Sequence, residues 1–322
     1  MSRIHWILYF IGALLETVFR LVGILFWSFL PSLKRKSICQ EIVLITGGGH
    51  GIGREIALAF AHHKPKHIVI WGRKKSYLDE TASLISKLGV SCLPMICDVS
   101  CAEDICVKAE EVSNRVGSVS ILVNNAGVVF GKQLLDTSDS DILQTFRVNT
   151  LAHLYTIKQF LPSMIENRRG HLVSINSILG MVGLRGATDY CSSKFASSGI
   201  SASLCQELED YPDIHVTSVH PYQVNNDMFS GVTIRFPWLF PILTEEYVAQ
   251  KTVNAVLVNK KQILLPRIWY FIVWMQSLLP VSTLLPVLKF TGAATCMETF
   301  HKPSSTLQPS VQHSTAQHTK TH

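Results

Sequence analysis

Hydrophobic and polar positions follow two different patterns along the chain between Ile42 and Leu265. Short runs of apolar, β-branched residues are typical of buried strands, whereas apolar positions three or four residues apart are typical of helices. Segments of the two kinds follow each other in turn, which predicts an α/β fold with a doubly wound parallel sheet. The clearest strand candidates are Ile42–Ile45, His67–Trp71, Cys92–Cys97, Ile121–Val123 and Ile214–Val219, and a helical pattern covers 102–116.

The first strand candidate runs into a glycine-rich turn, Thr46-Gly47-Gly48-Gly49-His50-Gly51-Ile52-Gly53, and a helical pattern follows. Glycines let backbone amides approach the pyrophosphate of a dinucleotide closely, and a helix N-terminus adds partial positive charge. Such turns also simply join strands to helices, but the context that the dinucleotide fingerprint demands is present. We therefore predict a Rossmann-type domain whose cofactor is bound by Gly47, Gly51, Ile52 and Gly53.

The second strand candidate ends in Gly72-Arg73-Lys74-Lys75, where an NAD site would place a carboxylate for the ribose 2′-hydroxyl. No acidic residue follows before Asp79. Arg73 can instead bind a 2′-phosphate, because a planar guanidinium matches phosphate geometry. The pattern favours NADP(H) over NAD, and the alternative is an ordinary solvated basic loop.

Two further polar residues follow strand candidates and could contact the same cofactor. Asn124 begins the small-residue loop Asn124-Asn125-Ala126-Gly127, which could pass under the nucleotide. Asp98 follows the Cys92–Cys97 run and could accept a hydrogen bond from the adenine amino group. Its alternative role is to cap the helix predicted over 102–116.

Tyr190 and Lys194 have the i, i+4 spacing that places two side chains on one face of a helix. A free tyrosine has a pKa of about 10, and a neighbouring ammonium favours its phenolate, so the pair could exchange a proton near neutral pH. Ser177 ends an apolar run upstream and is the expected second donor to a carbonyl oxygen during hydride attack. The same spacing also occurs by chance on amphipathic helices.

Asn149 lies inside a long helical pattern, although asparagine is a poor helix former. One reason for a polar residue there is to hold an ordered water for proton relay. The other is a hydrogen-bonded kink in the helix.

In their order and spacing, these motifs resemble the short-chain dehydrogenase/reductase family over residues 40 to 265. Nearly the whole chain is similar to the microsomal retinal branch of that family. The similarity is carried by segments such as Trp71-Gly72-Arg73, Ile96-Cys97-Asp98-Val99, Arg235-Phe236-Pro237-Trp238-Leu239-Phe240-Pro241 and Thr295-Cys296-Met297-Glu298-Thr299-Phe300.

The resemblance implies a role for each catalytic candidate. Tyr190 would be the general acid in reduction and the base in oxidation, and Lys194 would lower the Tyr190 pKa and bind the nicotinamide ribose. Ser177 would steady the substrate oxygen, and Asn149 would hold the relay water. The resemblance further implies NADP(H)-linked interconversion of all-trans-retinal and all-trans-retinol on the endoplasmic reticulum membrane, by a homodimer or a hetero-oligomer with a related dehydrogenase.

One segment departs from the family pattern, which usually shows Pro-Gly and then a threonine that contacts the nicotinamide carboxamide. This chain has His220-Pro221-Tyr222-Gln223-Val224-Asn225-Asn226, so the glycine is missing and Asn226 stands at the threonine position. An asparagine side chain can still hydrogen-bond a carboxamide.

The patterns divide the chain into four parts. Residues 1–36 are the predicted membrane anchor and its basic flank, and residues 37–265 are the Rossmann-type NADP(H)-binding catalytic domain. Residues 266–301 form an apolar C-terminal segment for membrane contact or substrate access, and the polar tail 302–322 is expected to be disordered.

The N-terminal apolar stretch, Ile4 to Leu30, is long enough as a helix to cross a bilayer. Glu16 and Arg20 interrupt it, so a tilted span and an interfacial anchor both fit. The adjacent Lys34-Arg35-Lys36 predicts that the catalytic domain faces the cytosol. A second apolar zone, Ile268 to Leu288, contains two prolines. It is therefore expected to contact lipid headgroups, to form an apolar funnel to the site or to be an ordinary core helix.

The formal net charge of +6 arises mainly from the two ends of the chain, which leaves the catalytic part near neutral and argues against a nucleic-acid groove. The chain has eight cysteines, and Cys97, Cys101 and Cys106 lie close together without metal-ligand spacing or a nearby histidine. We expect no metal, and reduced thiols are the simpler interpretation.

These observations lead to the hypothesis of a membrane-anchored NADP(H) oxidoreductase for a hydrophobic substrate, a retinoid by resemblance, with reduction as the expected direction. One alternative is a dehydrogenase of steroids or other lipid alcohols. The other is a weakly active membrane-bound scaffold or regulatory subunit, for which the altered segment after Pro221 would be a reason.

Overall fold

The computed structural model describes residues 35–229, 231–232 and 235–290, together with 9, 12, 13, 15–17, 292, 297 and 300. The chain divides into two units, Met1–Ser37 and Ile38–His322. In the first unit, the described residues between 9 and 17 are helical, and the Thr17 hydroxyl donates to the Ala13 carbonyl at 2.8 Å. Most of the predicted anchor from Ile4 to Leu30 and the whole predicted tail from 302 lie outside the described residues.

The second unit is built on a seven-stranded, wholly parallel sheet with the order β3-β2-β1-β4-β5-β6-β7. The predicted doubly wound parallel sheet is thereby confirmed. The strands are β1 (Ile42–Thr46), β2 (His67–Gly72), β3 (Cys92–Ile96), β4 (Ile121–Asn124), β5 (Gly170–Ile175), β6 (Ile214–Pro221) and β7 (Gln262–Leu265).

Helices connect the strands, as parallel pairing requires. They are α1 (Gly51–Ala61), α2 (Lys75–Lys87), α3 (Ala102–Val116), α4 (Asp139–Phe146), α5 (Ala152–Glu166), α6 (Thr188–Glu207), α7 (Glu245–Leu257), α8 (Ile268–Leu278) and α9 (Val281–Phe290). A π-helical segment, Arg147–Leu151, joins α4 to α5. The helix predicted over 102–116 is therefore present as α3.

The core consists of two apolar layers, one on each face of the sheet. β1 is buried along its whole length, as expected for a central strand covered on both sides. Its Val43 and Ile45 face a layer formed with α1, α2 and α7, whereas Ile42 and Leu44 face a layer formed with α3 and α5. This alternation explains why the strand reads as a continuous apolar run in the sequence.

The strand order reverses beside β1, which pairs with β2 on one side and with β4 on the other. In open parallel sheets, such a switch point leaves a crevice outside the carboxyl ends of the strands, and ligands bind there. The glycine turn follows β1 and the Asn124–Gly127 loop follows β4, so both lie at this crevice.

The second apolar zone forms two helices, α8 and α9, that are separated at Leu279 and Pro280. Trp269 is the buried residue of α8, whereas Phe271, Trp274 and Leu278 are each more than half exposed. α8 thus packs one face against the domain and leaves another apolar face exposed. Among the residues that the structure describes, no helix is both long enough and apolar enough to cross a membrane.

Candidate active site

The glycine turn after β1 exposes bare backbone at the N-terminus of α1. Gly47 and Gly51 have φ angles of 67° and 60°, in the left-handed region that side chains disfavour. Gly53 is required for a different reason, because a Cβ there would collide with the Gly47 carbonyl oxygen. Ile52 lies in the first turn of α1 and packs against the core. The turn can therefore bring its amides close to an anion.

The loop after β4 holds this turn in place. The Thr46 hydroxyl accepts hydrogen bonds from the backbone amides of Asn125 and Ala126 at 2.9 and 3.1 Å, and the Asn125 carboxamide donates to the Thr46 carbonyl at 2.9 Å. Asn124, the predicted ligand, is buried, and its carboxamide oxygen accepts from the Thr156 hydroxyl on α5 at 2.8 Å. Its neighbour Asn125 is therefore the asparagine that contacts the glycine turn.

Three basic residues follow β2, and their side chains are exposed. The Lys75 ammonium pairs with Asp79 at 2.6 Å, and the Lys74 ammonium lies 5.1 Å from the centre of the Tyr77 ring. Within the described part of the chain, Arg73 has no acidic partner. Arg73 is thus the guanidinium that is available for an anion beside the turn.

Asp98 is half-buried at the end of the β3 segment. Its carboxylate accepts hydrogen bonds from the Ser100 amide and hydroxyl at 2.9 and 2.7 Å. The N-cap of α3 is Cys101, without a side-chain hydrogen bond, so the alternative role of Asp98 as the helix cap is wrong. The amide and the hydroxyl of Ser100 instead fix the Asp98 carboxylate in the loop.

Ser177, Tyr190 and Lys194 come together at the carboxyl end of β5. Tyr190 and Lys194 are on α6 and are 3 % exposed each, and the Lys194 ammonium lies 5.8 Å from the centre of the Tyr190 ring. That ammonium donates to the Ile175 carbonyl at 3.0 Å. The Ser177 hydroxyl lies near enough to the Tyr190 hydroxyl to lower the pKa of Tyr190. The predicted i, i+4 arrangement on one helix face is thus present.

Burial dominates the electrostatics of this cluster. Desolvation raises the pKa of Tyr190 above its ordinary value, and the hydrogen bond from Ser177 acts in the opposite direction. Burial also lowers the pKa of Lys194 to about 8. Lys194 is not among the groups that shift the Tyr190 pKa in this arrangement, so its expected effect on that pKa stays a prediction.

Asn149 lies in the π-helical segment between α4 and α5 and is fully buried. Its carboxamide oxygen accepts from the Val128 amide at 2.8 Å, and its nitrogen donates to the Val128 carbonyl and the Ser193 hydroxyl at 2.9 and 3.0 Å. Its own carbonyl accepts from the Ser197 hydroxyl at 2.5 Å. The residue thus ties the loop after β4 to α6.

The glycine turn and the Tyr190 cluster are connected through the loop after β4. A Cβ on Gly127 would lie 3.4 Å from the Asn149 carboxamide oxygen and 3.7 Å from the Lys194 ammonium. Asn125 of the same loop contacts the turn. The structure therefore brings the predicted residues of β1, β4, α6 and the π-helical segment into one region.

Sequence reasoning missed several residues that surround the cluster. The Tyr190 ring packs edge-on against Phe229 with 5.5 Å between ring centres, and Met297 and Phe300 join the same apolar cluster. On α5, His153 is buried with both ring nitrogens unpaired among the described residues, and burial lowers its pKa to about 3. No short sequence pattern could identify these residues, because each comes from a distant segment.

Asn226 stands where the family usually has a threonine that contacts the nicotinamide carboxamide. Its side-chain oxygen is buried and has no hydrogen-bond partner among the described residues. Burying an acceptor without a donor is unfavourable, so this oxygen is ready to accept from an amide group of a ligand.

The described residues contain no group of three or more histidine, cysteine or acidic side chains that could hold a metal ion. Cysteines 39, 92, 97, 101, 106, 191 and 205 are free.

Comparison with known proteins gives concordant results. A profile of the short chain dehydrogenase family matches residues 41–234. The chain is 43% identical to human Short-chain dehydrogenase/reductase 3 over 83% of this chain and 88% of that protein. It is 39% identical to human Epidermal retinol dehydrogenase 2 over 88% and 93% of the two chains. A metagenomic short-chain oxidoreductase solved in complex with NADP is similar in structure, with a TM-score of 0.60 and 25% identity over 71% of this chain and 97% of that one.

Two glycine-to-alanine substitutions, one in the glycine turn and one on α6, should change the stability of the protein in opposite directions. Gly53→Ala places a methyl group against the Gly47 carbonyl and the Asn125 side chain, so we expect a loss of about 1–3 kcal/mol in stability and weaker dinucleotide binding. Gly199→Ala, in open space on α6, should stabilise the protein by about 0.5–1 kcal/mol. Denaturant unfolding and calorimetric titration with NADP+ measure the two effects. Unchanged stability and binding in Gly53→Ala would contradict the close approach.

Proposed function

The chain belongs to the short-chain dehydrogenase family, and from this premise we propose that it is an NADP(H)-dependent oxidoreductase that interconverts all-trans-retinal and all-trans-retinol, mainly as a retinal reductase. The observation that carries the proposal is that buried Ser177, Tyr190 and Lys194 come together at the carboxyl end of β5, with the Lys194 ammonium 5.8 Å from the centre of the Tyr190 ring. Relatives with retinol dehydrogenase in their names support the choice of substrate.

The residues at the crevice fit a nicotinamide dinucleotide. When bound, NADP(H) would supply or accept the hydride. The glycine turn would hold the pyrophosphate, because it presents bare backbone at the N-terminus of α1, and a Cβ at Gly53 would collide with the Gly47 carbonyl oxygen of the turn. The unpaired oxygen of Asn226 would accept from the carboxamide of the nicotinamide.

In reduction, Tyr190 would donate its hydroxyl proton to the substrate oxygen while the carbonyl carbon gains the hydride. A C–H bond and an O–H bond form, and the carbonyl π bond breaks. The raised pKa of Tyr190 keeps this proton in place at neutral pH, which suits a general acid. With substrate bound, the Ser177 hydroxyl would turn its single O–H from Tyr190 to the substrate oxygen and donate a second hydrogen bond as negative charge develops there. The Tyr190 phenolate would then recover a proton from solvent.

Arg73 supports a preference for NADP(H). Its guanidinium is exposed at the end of β2, whereas Lys75 is already paired with Asp79. A guanidinium forms strong, charge-assisted hydrogen bonds with a phosphate.

The surroundings of Tyr190 support a hydrophobic substrate. Its neighbours form a cluster of apolar side chains in which the loop after β6 and the C-terminal segment meet. This apolar cluster would favour a polyene chain as substrate, because the chain would bury its apolar surface against these side chains without leaving polar groups unpaired. The cluster around Tyr190 includes Leu179, Leu184, Met228, Phe229, Val232, Met297 and Phe300.

Attachment to the endoplasmic reticulum membrane, with the catalytic unit in the cytosol, is a further part of the proposal. The apolar face of α8, with Phe271 and Trp274 each 57% exposed, supports contact with a lipid surface. Aromatic side chains favour the headgroup region of a bilayer. A substrate as apolar as a retinoid would enter from the same surface.

Turnover with retinal tests the proposed chemistry. We expect purified full-length protein to oxidise NADPH in the presence of all-trans-retinal, with a lower rate on a ketosteroid. Tyr190→Phe removes the transferred proton but retains the ring, so activity should fall by at least about 100-fold, whereas NADPH binding should be nearly unchanged.

Equal activity of wild type and Tyr190→Phe would refute the role of Tyr190. A higher rate on the ketosteroid would support a steroid dehydrogenase. Cofactor binding without turnover of any lipid aldehyde would support a scaffold or regulatory subunit.

Cofactor preference provides the next prediction. Arg73→Ala should lower the ratio of kcat/KM for NADPH to that for NADH by about 10–100-fold, the value of one charge-assisted hydrogen bond or two. Lys75→Ala is the matched control, since Lys75 is a neighbouring exposed cation that is already paired with Asp79. An unchanged ratio in Arg73→Ala, or equal losses in the two variants, would argue against a 2′-phosphate contact.

Membrane attachment is tested in microsomes from cells that express the full chain. We expect the protein to stay in the pellet after alkaline carbonate extraction. Protease added to intact microsomes should digest the catalytic unit without detergent. Release into the supernatant would contradict attachment, and protection from protease would contradict a cytosolic catalytic unit.

A further inference from the structure

Two consecutive residues that follow β5 are held by side chains of β6. The Asn176 carboxamide nitrogen donates to the Ser218 hydroxyl at 2.8 Å, and the Ser177 carbonyl oxygen lies 3.1 Å from Nδ1 of His220. The Ser218 hydroxyl in turn lies 2.8 Å from Nε2 of His220. A continuous hydrogen-bond chain therefore runs from Asn176 through the histidine to the backbone of Ser177.

The chain of contacts determines which ring nitrogen of His220 carries the proton. A carbonyl oxygen can only accept, so Nδ1 must donate to Ser177. Nε2 is then the acceptor for the Ser218 hydroxyl. His220 is 1% exposed, and burial lowers its pKa to about 4, which keeps the ring neutral with one donor and one acceptor. A neutral ring in this orientation satisfies both neighbours.

We infer that His220 is a positioning residue, which fixes the Ser177 carbonyl and thereby keeps the Ser177 hydroxyl beside Tyr190, where the substrate oxygen would lie. Ser177 starts the short 3-10 helix Ile178–Gly180, and its hydroxyl also accepts from the Leu179 amide at 3.1 Å. Backbone position and hydroxyl direction are therefore coupled at this residue. The inference deepens the proposed function and rests on it for the kinetic part of its test.

The electrostatic consequence concerns Tyr190. The hydrogen bond from Ser177 is the interaction that lowers the Tyr190 pKa against the effect of burial. Losing it raises that pKa, because the phenolate loses a donor. The other charged or titratable groups near the cluster are the Lys194 ammonium, the Cys191 thiol and buried His153 on α5.

Two variants of His220 separate the effect of its N–H donor from the effect of removing the ring. His220→Leu removes the hydrogen bonds to Ser177 and Ser218 and the weaker one from the Gln262 carboxamide to Nε2 at 3.4 Å. His220→Asn retains an N–H donor near the position of Nδ1. In alcohol oxidation, which requires the Tyr190 phenolate, the rate rises with pH through the Tyr190 pKa. We expect the midpoint to move up by about half to one pH unit in His220→Leu, the equivalent of one hydrogen bond, and to return toward wild type in His220→Asn.

The catalytic rate should fall with the midpoint shift. We expect kcat in His220→Leu to drop by about 10-fold or more, because a displaced donor loses part of the stabilisation that it gives the transition state. The KM for NADPH should change less than kcat, since His220 contacts Ser177 and not the glycine turn.

His171→Leu is the matched control. His171 is also 1% exposed, is also on the β5–β6 pair and lies 2.7 Å from the Thr217 hydroxyl, but it is at the opposite end of β5. We expect it to lower stability without moving the pH midpoint. Ser218→Ala keeps the experiment informative if His220→Leu does not fold. It removes the nearer partner of Nε2 and leaves Gln262, so it should shift the midpoint upward by a smaller amount.

Crystal structures of the variants give a readout that does not need turnover. The distance between the Ser177 and Tyr190 hydroxyls should be the same in wild type and His220→Asn and should increase in His220→Leu. An unchanged distance and pH midpoint in folded His220→Leu, or an equal midpoint shift in His171→Leu, would overturn the inference. A separated pair in a protein without retinal turnover would instead leave the positioning role intact and refute the proposed function.

Discussion

The architecture of the site depends on one buried hydrogen bond, from the Lys194 ammonium to the Ile175 carbonyl at the end of β5. It fixes α6 against the sheet and so determines where Tyr190 meets Ser177. A carbonyl at the carboxyl end of a parallel strand lacks a partner in the sheet, and a buried ammonium lacks water. Each therefore satisfies the other, and breaking the bond would leave two unpaired polar groups in the interior.

The sheet supplies the second constraint. Because all strands are parallel and their order reverses beside β1, the glycine turn, the loop after β4 and the end of β5 lie along one edge. Asn125 connects the loop to the turn, and Asn149 connects the loop to α6. Burial disfavours the charged form of both Tyr190 and Lys194, so it shifts their pKa values in opposite directions. It raises the pKa of Tyr190 and lowers the pKa of Lys194. Tyr190 therefore keeps its proton at neutral pH, which fits an acid that donates during reduction.

Local patterns were sufficient for much of this account. Parallel strands are buried on both faces and therefore read as apolar runs, and the turn after β1 needs glycine for steric reasons that any sequence must obey. The spacing of Tyr190 and Lys194 gave the shared helix face. Long-range contacts could not be predicted in the same way. The sequence did not indicate that Asn125 rather than Asn124 contacts the turn, that burial raises the Tyr190 pKa, or that Met297 and Phe300 pack beside Tyr190.

The central claim is that this buried cluster protonates a carbonyl oxygen while the carbon gains a hydride. The most direct measurement uses purified full-length protein, all-trans-retinal and NADPH that carries deuterium at the transferable position of nicotinamide C4. The account predicts one deuterium on the carbinol carbon of each retinol formed, and no deuterium at that carbon when unlabelled NADPH is used in heavy water. Retinol without the label, or with label taken from the solvent at that carbon, would contradict it.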